Sequence, residues 1–380
     1  MFYYRSARQT RLVFCAQLLK KMKKINFIKN LKRKFRDSFS SDLGIDLGTA
    51  NTLVYVQGRG IVLNEPSVVA LNEKTGRVVA VGQQAQKMIG RTPTHISAIR
   101  PLVEGVVSDF EITEEMVAYL INKARENSNN FFGARVLVGV PSGITNVETR
   151  AVRDAVKNAG AKIVYIMEEP MLAAIGSRLP IQEAVGSVII DIGGGTTDIA
   201  VISLGGVVNS KNLRVAGDKF NEDIIQYIRS KFKILIGEKT AERLKIDVGS
   251  AIPLAESLET TARGRDLITG LPKEIKVDDT HIRKAISQSL ALLLDAIKEV
   301  LELTPPEIIS DILNRGVYLT GGGALIKNLD VLLSEIIKVP VFVVDDPLTA
   351  VARGTGIVLA DLNNFKEILI QDEDGISLKE

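Results

Sequence analysis

Two short stretches of the sequence carry the residue types that bind a phosphate group together with a divalent cation. Residues 46–52 read Asp-Leu-Gly-Thr-Ala-Asn-Thr, and residues 191–198 read Asp-Ile-Gly-Gly-Gly-Thr-Thr-Asp. In both, glycine lets backbone N–H groups approach a ligand, threonine or asparagine adds donors, and aspartate supplies carboxylate oxygens. Polar hairpin turns use the same residues, so one such stretch alone is weak evidence for a phosphate site. The repetition of the same order predicts a shared phosphate site.

The surrounding elements must bring these stretches together. Aliphatic runs precede and follow both of them, which indicates a strand, a turn and a strand in each case. A third turn, 320–324, reads Thr-Gly-Gly-Gly-Ala and follows another apolar run. The first two turns lie a domain's length apart in the chain. Two hairpins from two facing domains would hold a polyphosphate between them.

Composition narrows the chemistry to carboxylates, hydroxyls and backbone groups. The chain has 380 residues, of which 46% are hydrophobic and 24% charged, and this fits a soluble globular protein of two domains. No run approaches the roughly 20 apolar residues that cross a bilayer. Two histidines, His95 and His281, and the single Cys15 argue against a zinc site, a Ser-His-Asp centre and a disulfide framework. No Gly-Lys-Ser/Thr phosphate loop is present, which excludes a P-loop enzyme.

The first part of the chain is strongly basic, whereas the remainder is net acidic. Residues 1–36 contain twelve Lys or Arg and no Asp or Glu. Within 22–39, apolar side chains recur at steps of three and four among basic residues, namely Ile25, Ile28, Leu31, Phe35 and Phe39. This pattern is typical of an amphipathic helix in a membrane interface; a transit peptide and a disordered basic tail are the alternatives. The acidic remainder argues against nucleic-acid binding.

A pair of aromatic residues could form a second, smaller membrane contact. Phe131 and Phe132 follow the polar stretch 127–130. Exposed rings beside a polar loop would enter a membrane interface. The alternative is that both rings pack at the corner between a helix and the next strand, and the sequence leaves both possibilities open.

Two adjacent acids could act near the phosphates. Glu168 and Glu169 follow a predicted strand at 163–167 and precede Pro170, which opens a helix. A carboxylate at the carboxyl end of a strand faces the ligand crevice of an α/β fold. An acid in the first helical turn also complements the helix dipole, so a structural role is the alternative.

The ordered series of motifs resembles the actin, Hsp70 and sugar-kinase ATPase superfamily and, within it, the MreB family of bacterial actin-like proteins. The segments that carry the resemblance are 44–52, 168–170, 237–243 and 263–267, and the likeness runs from about residue 42 to about residue 362. It implies an α/β, actin-like (ribonuclease H-like) two-domain ATPase fold with the nucleotide in the interdomain cleft.

The resemblance also implies a domain plan. It comprises a basic amphipathic extension at 1–41, a first domain at 42–180 with a small subdomain at about 72–132, a second domain at 181–340, a return to the first domain at 341–362 and an acidic tail at 363–380. The return is expected to consist of a strand at 341–344 and a helix at 354–359.

By the same resemblance, the expected ligands are ATP and Mg²⁺. Glu169 is expected to orient the attacking water with help from Thr196, and Asp46 and Asp191 to hold the metal mainly through water. The expected nucleotide contacts are Gly48, Thr49, Ala50, Asn51, Gly193, Gly194, Gly195, Thr196, Thr197, Gly217, Glu242, Arg243, Lys245, Gly321, Gly322, Gly323 and Ala324. For Glu242 and Lys245, three residues apart on one helix face, a solvated ion pair is the alternative.

The function implied by the resemblance is that of a filament rather than a metabolic enzyme. A slow Mg²⁺-dependent ATPase would be linked to head-to-tail polymerisation at the cytoplasmic, inner face of the cell membrane. The expected partners are further copies of the chain, the membrane surface and the membrane proteins of cell-wall elongation, and the expected outcome is maintenance of rod shape.

Other members of the superfamily are the competing interpretations. A MreB-like paralogue would carry the same motifs. A small-molecule kinase would need a catalytic base, for which Asp218 or Asp247 could serve. An Hsp70-type chaperone would need a substrate domain after about residue 360, where only about twenty residues remain.

Overall fold

The computed structural model describes residues 42–126 and 134–370. The helix predicted at 22–39, with Ile25, Ile28, Leu31 and Phe35, lies outside the described residues, as do Phe131, Phe132 and residues 371–380 of the predicted tail. No helix in the described ranges is long and apolar enough to span a membrane.

Strands and helices alternate along the described chain. The strands are β1 Leu43–Leu47, β2 Asn51–Val56, β3 Gly60–Pro66, β4 Val69–Asn72, β5 Arg77–Val81, β6 Ile96–Ile99, β7 Leu102–Val103, β8 Val106–Val107, β9 Arg135–Val140, β10 Ile163–Glu168, β11 Ser187–Ile192, β12 Thr197–Ser203, β13 Gly206–Leu213, β14 Ile234–Leu235, β15 Glu259–Asp266, β16 Pro272–Asp278, β17 Val317–Thr320 and β18 Val341–Val343. The α-helices are α1 Gln83–Met88, α2 Phe110–Arg125, α3 Asn146–Asn158, α4 Glu169–Gly176, α5 Gly217–Phe232, α6 Glu238–Val248, α7 Asp279–Glu302, α8 Pro306–Arg315, α9 Leu329–Ile337, α10 Ala350–Ala360 and α11 Leu362–Phe365.

The first domain is built on a five-stranded sheet of order β10-β9-β1-β2-β3. Strands β1 to β3 form an antiparallel meander, whereas β9 and β10 run parallel to β1. Strand β1 is covered on both faces, because Leu43, Ile45 and Leu47 are buried in one core. On the other face, a Cβ at Gly44 would lie 1.7 Å from Thr355 Oγ1 of helix α10. The sheet therefore fixes the position of the turn that follows β1.

The second domain repeats this arrangement. Its five-stranded sheet has the order β13-β12-β11-β17-β18, with an antiparallel meander followed by two parallel strands. Strand β11 reads Ser-Val-Ile-Ile-Asp-Ile and is buried along its whole length, as expected for a central strand between two covered faces. The long helix α7 packs its apolar stripe on this core. Strands β1 and β11 thus occupy equivalent places.

Two small sheets lie beside the main ones. Strands β5-β4-β6 form the first and β14-β15-β16 the second. The small sheet of the first domain spans 69–99, which covers only part of the subdomain predicted at about 72–132. Helix α2 is not part of it, because its apolar stripe is buried with the core of the main sheet.

The return to the first domain begins later than the predicted residue 341. Strand β18 pairs in parallel with β17 of the second sheet, with Val317 opposite Val341. Helix α10 is the element that returns, and it crosses α4 at very short range. A Cβ at Gly176 would lie 1.9 Å from the Ala350 carbonyl oxygen, and one at Gly354 would lie 2.0 Å from the Leu172 carbonyl oxygen. Only glycine permits this crossing, which joins the two halves.

Candidate functional site

A cleft of about 690 Å³ lies between the two domains, within the range of small-molecule sites. Most of the predicted binding residues line it, together with the predicted catalytic and metal-binding acids: Asp46, Gly48, Thr49, Ala50, Asn51, Glu169, Asp191, Gly193, Gly194, Gly195, Thr196, Gly217, Glu242, Lys245, Gly321, Gly322 and Gly323. The three glycine-rich turns, far apart in sequence, therefore meet at one cavity.

The turns of the β1–β2 and β11–β12 hairpins face each other at close range. A Cβ at Gly194 would lie 2.5 Å from the Ala50 Cβ and 3.0 Å from its backbone nitrogen. A Cβ at Gly195 would lie 2.8 Å from Thr49 Oγ1. Side chains larger than hydrogen would force the hairpins apart. The approach leaves backbone N–H groups of both hairpins at the cleft, where they can donate to phosphate oxygens.

A third hairpin, between β7 and β8, inserts beside these two turns and was not predicted. The Gly105 N–H donates to Thr49 Oγ1 at 3.0 Å, and Glu104 adopts a left-handed backbone with φ of 51°. Gly105 packs against the pyrrolidine ring of Pro141, where a Cβ would lie 2.6 Å from Cγ. The sequence signal was a Glu-Gly pair between two pairs of apolar residues, which is typical of a two-residue hairpin turn.

The acids in the cleft titrate far from their ordinary range. Burial raises the pKa of Asp46 to about 7. Burial also raises the pKa of Glu169 and of Asp191 well above the usual value, and the neighbouring carboxylates Asp46 and Asp198 raise both further. Carboxyl groups that repel one another in a poorly solvated cavity favour a cation or a proton. The cleft is therefore suited to a positively charged ligand.

The donor chemistry fits Mg²⁺ held partly through water. In the part of the chain that the structure describes, no group of three His, Cys, Asp or Glu side chains is placed to hold a metal directly. Mg²⁺ commonly keeps several waters and takes one or two carboxylates. Asp46 and Asp191, one on each domain, are the carboxylates that would hold it in this manner.

The two adjacent glutamates have different surroundings. Glu169 lines the cleft. Glu168 instead accepts a hydrogen bond from the backbone of Gly143, and Ser142 Oγ lies 3.5 Å from its carboxylate. The Ser142 N–H donates to Asp198 Oδ1 at 2.8 Å, across the two domains. Of the two glutamates, only Glu169 therefore faces the space where a ligand would bind.

At the other end of the cleft, Glu242 and Lys245 both line the cavity and form the ion pair that was the alternative to nucleotide contact. A residue that was not predicted, Asn221, joins them. Lys245 Nζ donates to Glu242 Oε2 at 2.7 Å and to the Gly217 carbonyl oxygen at 2.9 Å. Asn221 Nδ2 donates to the same carboxylate oxygen at 2.7 Å. Asn221 lies four residues after Gly217 on α5, which places it on the same helix face.

Three predicted binding residues do not line the cleft. Thr197 is fully buried and donates its hydroxyl to the Val215 carbonyl oxygen at 2.7 Å. Arg243 turns away on α6 and donates to Asp247 and to the Thr261 carbonyl oxygen. Ala324 is buried in the core of the second domain. A nucleotide in the cleft would not reach these side chains.

The acids proposed for a small-molecule kinase are both engaged in ion pairs. Asp218 Oδ2 lies 2.9 Å from Arg100 Nη1, and Asp247 Oδ2 lies 3.3 Å from Arg243 Nη1. Each carboxylate is therefore held by an arginine side chain, and Asp247 does not line the cleft.

Without nucleotide and metal, the free energy of unfolding should fall as the pH rises from about 4 to about 7. The pKa values of Asp46, about 7, and of Asp198, about 6, are raised mainly by burial. Their stabilising contribution is fully present below the unfolded-state pKa and is lost as the pH rises through the folded-state pKa. Urea unfolding with a chelator present measures this slope.

The matched variant Asp46→Asn should show a flatter pH profile, because it removes the carboxyl that must ionise in the cleft. Added Mg-ATP should also make the free energy of unfolding of the wild type depend less steeply on pH. A variant profile as steep as that of the wild type would contradict the burial of Asp46.

Sequence comparison connects the chain with bacterial proteins of one family. A family model described as MreB/Mbl protein matches residues 40–367. The cell shape-determining protein Mbl of Bacillus cereus is 52% identical over 328 residues, which cover 86% of this chain and 98% of that protein. The cell shape-determining protein MreB of Escherichia coli K12 is 52% identical over 345 residues, which cover 90% of this chain and 99% of that protein.

Solved structures confirm the predicted actin-like fold. MreB5 of Spiroplasma citri bound to ADP superposes with a TM-score of 0.81 at 40% identity, covering 87% of this chain and 98% of that one. The same protein has been solved with AMPPNP, at a TM-score of 0.81. MamK from a double helical filament superposes with a TM-score of 0.72 at 23% identity, covering 84% of this chain and 98% of that one; at this identity the likeness concerns the fold alone.

Proposed function

The chain belongs to the MreB/Mbl family, and from this membership we propose that it is a cell shape-determining protein that binds ATP in its cleft and assembles into actin-like filaments. The observation that carries the proposal is the close approach of the hairpins at Ala50 and Gly194, with acids of both domains beside them. MreB5 of Spiroplasma citri has been solved bound to ADP and bound to AMPPNP, and this supports nucleotide binding.

The residues of the cleft divide the work of binding and hydrolysis. Backbone N–H groups of the two hairpins, with the hydroxyls of Thr49 and Thr196, would hold the phosphates. Glu169, helped by Thr196, would orient a water molecule towards the terminal phosphate, which is the main requirement when the transition state is loose. Mg²⁺ at Asp46 and Asp191 would neutralise phosphate charge. Hydrolysis is proposed to be slow and linked to polymerisation.

Filament formation would follow from head-to-tail contacts between copies of the chain. Such contacts do not close into a ring and so give an open polymer. We place this polymer in the cytoplasm at the inner face of the cell membrane, held by the basic amphipathic segment 22–39 and by Phe131 and Phe132. There it would organise cell-wall synthesis with the membrane proteins of wall elongation, and nucleic acid has no part in it.

Residues 22–380 should sediment with anionic liposomes when Mg-ATP is present. Each basic residue near an anionic surface contributes on the order of 1 kcal/mol, and a polymer multiplies this attraction. Cosedimentation over a range of protein concentrations measures it. The matched truncation 40–380, which keeps the described domains, should lose lipid binding.

Two controls separate filament formation from lipid binding. Vesicles of neutral lipid should leave the protein unbound, and ADP should reduce the polymer that pellets without lipid. If the protein stayed monomeric at micromolar concentration with both lipid and ATP, the filament proposal would be wrong. Pelleting that is independent of residues 22–39 would place the membrane contact elsewhere.

A further inference from the structure

A single arginine of the first domain reaches two helices of the second. Arg100 follows strand β6, and its Nη1 lies 2.9 Å from Asp218 Oδ2. Its Nη2 donates to Glu238 Oε1. Asp218 lies in the first turn of α5 and Glu238 in the first turn of α6. We call these three residues the cleft clasp.

The clasp lies at the rim of the cleft rather than in its depth. All three side chains line the cavity, yet they keep 30%, 29% and 44% of their exposure for Arg100, Asp218 and Glu238. Beside them, Lys239 Nζ donates to the Gln86 carbonyl oxygen, which is a second contact between the domains at the same rim.

Another connection between the domains is of a different kind. At the crossing of α4 and α10, glycines bring the helix backbones into contact, and buried residues of both helices share a core with Ile189, Ala200 and Ile202 of the second sheet. That crossing is apolar and tightly packed, so it resists separation. The clasp consists of solvent-facing ion pairs, which break and re-form readily. The domains are thus joined by a tightly packed contact at α4 and α10 and by ion pairs of the cleft clasp that can open and close.

Arg100 keeps its positive charge in the clasp. Burial opposes the positive charge of Arg100, but the two carboxylates attract it more strongly and raise its pKa. Because one guanidinium serves two acceptors in a fixed fork, lysine could not replace it in both contacts.

We propose that the cleft clasp controls the release of the bound nucleotide: a nucleotide leaves the cleft only after Arg100 separates from Asp218 and Glu238. This inference rests on the proposed function, since it requires a nucleotide in the cleft. Arg100 belongs to neither the β1–β2 and β11–β12 hairpins nor the catalytic acid, so removing its side chain changes the rate of release and removes no phosphate contact. Asp218, by contrast, donates its backbone N–H to the Gly194 carbonyl oxygen at 2.8 Å.

The test is the release of a fluorescent ATP analogue, chased with excess ATP in a stopped-flow instrument. Arg100→Ala should release it about tenfold faster, as expected when two partly exposed ion pairs are lost. Arg150→Ala is the matched control, because it removes an exposed ion pair to Asp154 within α3. Arg100→Glu should release faster still, and Arg100→Glu with Glu238→Arg should restore slow release in part.

Hydrogen exchange in nucleotide-free protein gives a second readout. Arg100→Ala, unlike Arg150→Ala, should increase exchange in 83–100 and 217–240, where the rim of each domain lies. Release within twofold of the wild type would overturn the proposal. If neither the wild type nor Arg100→Ala bound the nucleotide, the proposed function and the control of release would both be wrong. If both bound it normally and hydrogen exchange in Arg100→Ala equalled that of the wild type, only the proposed role of the clasp would be overturned.

Discussion

Replacing Glu169 with glutamine is expected to lower the rate of ATP hydrolysis by about 10²–10³-fold, with nucleotide affinity nearly unchanged. The Glu169 carboxylate lines the cleft together with the turns of the β1–β2 and β11–β12 hairpins. The amide of glutamine would orient the attacking water poorly and could not accept a proton from it. Single-turnover hydrolysis and equilibrium binding, measured on the same preparations, separate the two quantities.

The same substitution should stabilise the protein at neutral pH when nucleotide and metal are absent. Burial and the negative charges of Asp46, Asp198 and Asp191 raise the pKa of Glu169, so its ionisation opposes folding above the ordinary carboxyl pKa. A variant that loses ATPase activity but gains stability identifies Glu169 as a functional acid, because replacing an acid that stabilises the fold would lower the free energy of unfolding. Loss of hydrolysis in Glu168→Gln, with Glu169→Gln active, would transfer the catalytic role to Glu168.

Gly194→Ala is expected to weaken ATP binding by about 10–100-fold, because overpacking of this size costs about 1–3 kcal/mol. The added methyl group would lie 2.5 Å from the Ala50 Cβ and 3.0 Å from the Ala50 backbone nitrogen. Neither neighbour is the end of a flexible side chain, so the two hairpins must move apart. Fluorescence anisotropy with a labelled ATP measures the affinity.

Gly237→Ala is the matched control for this effect. Gly237 has an ordinary φ of −92°, and a Cβ there would meet nothing within 4 Å. It should bind ATP as the wild type does, although it should unfold at a slightly lower urea concentration because Gly237 is the N-cap residue of α6 and alanine is a poor N-cap. Equal affinity of Gly194→Ala and the control would show that the hairpins do not approach each other in solution as described.

The parts of the site that sequence could predict are those encoded locally. The Asp-x-Gly turns at 46–52 and 191–198 each sit between apolar strands, so their hairpins follow from turn chemistry and period. The order of the motifs along the chain then predicted that Asp46 and Asp191 share one cleft, and both line it.

The parts of the fold and the site that the sequence did not predict depend on contacts between distant segments. Arg100 meets Asp218 and Glu238 across more than a hundred residues, and nothing beside it in the sequence marks that role. Strand β18 is a short apolar run that could join either sheet. Arg243 follows Glu242 directly, and adjacent residues on a helix point in different directions, so only one of them can face the cleft.

The measurement that tests the nucleotide site most directly is equilibrium dialysis of the purified protein against labelled ATP and Mg²⁺. Two facing hairpins in one cleft predict saturable binding of about one nucleotide per chain, competed by unlabelled ATP and weakened in Gly194→Ala. Absence of saturable binding, or binding that is the same in Gly194→Ala as in the wild type, would contradict the assignment of the cleft as the ATP site.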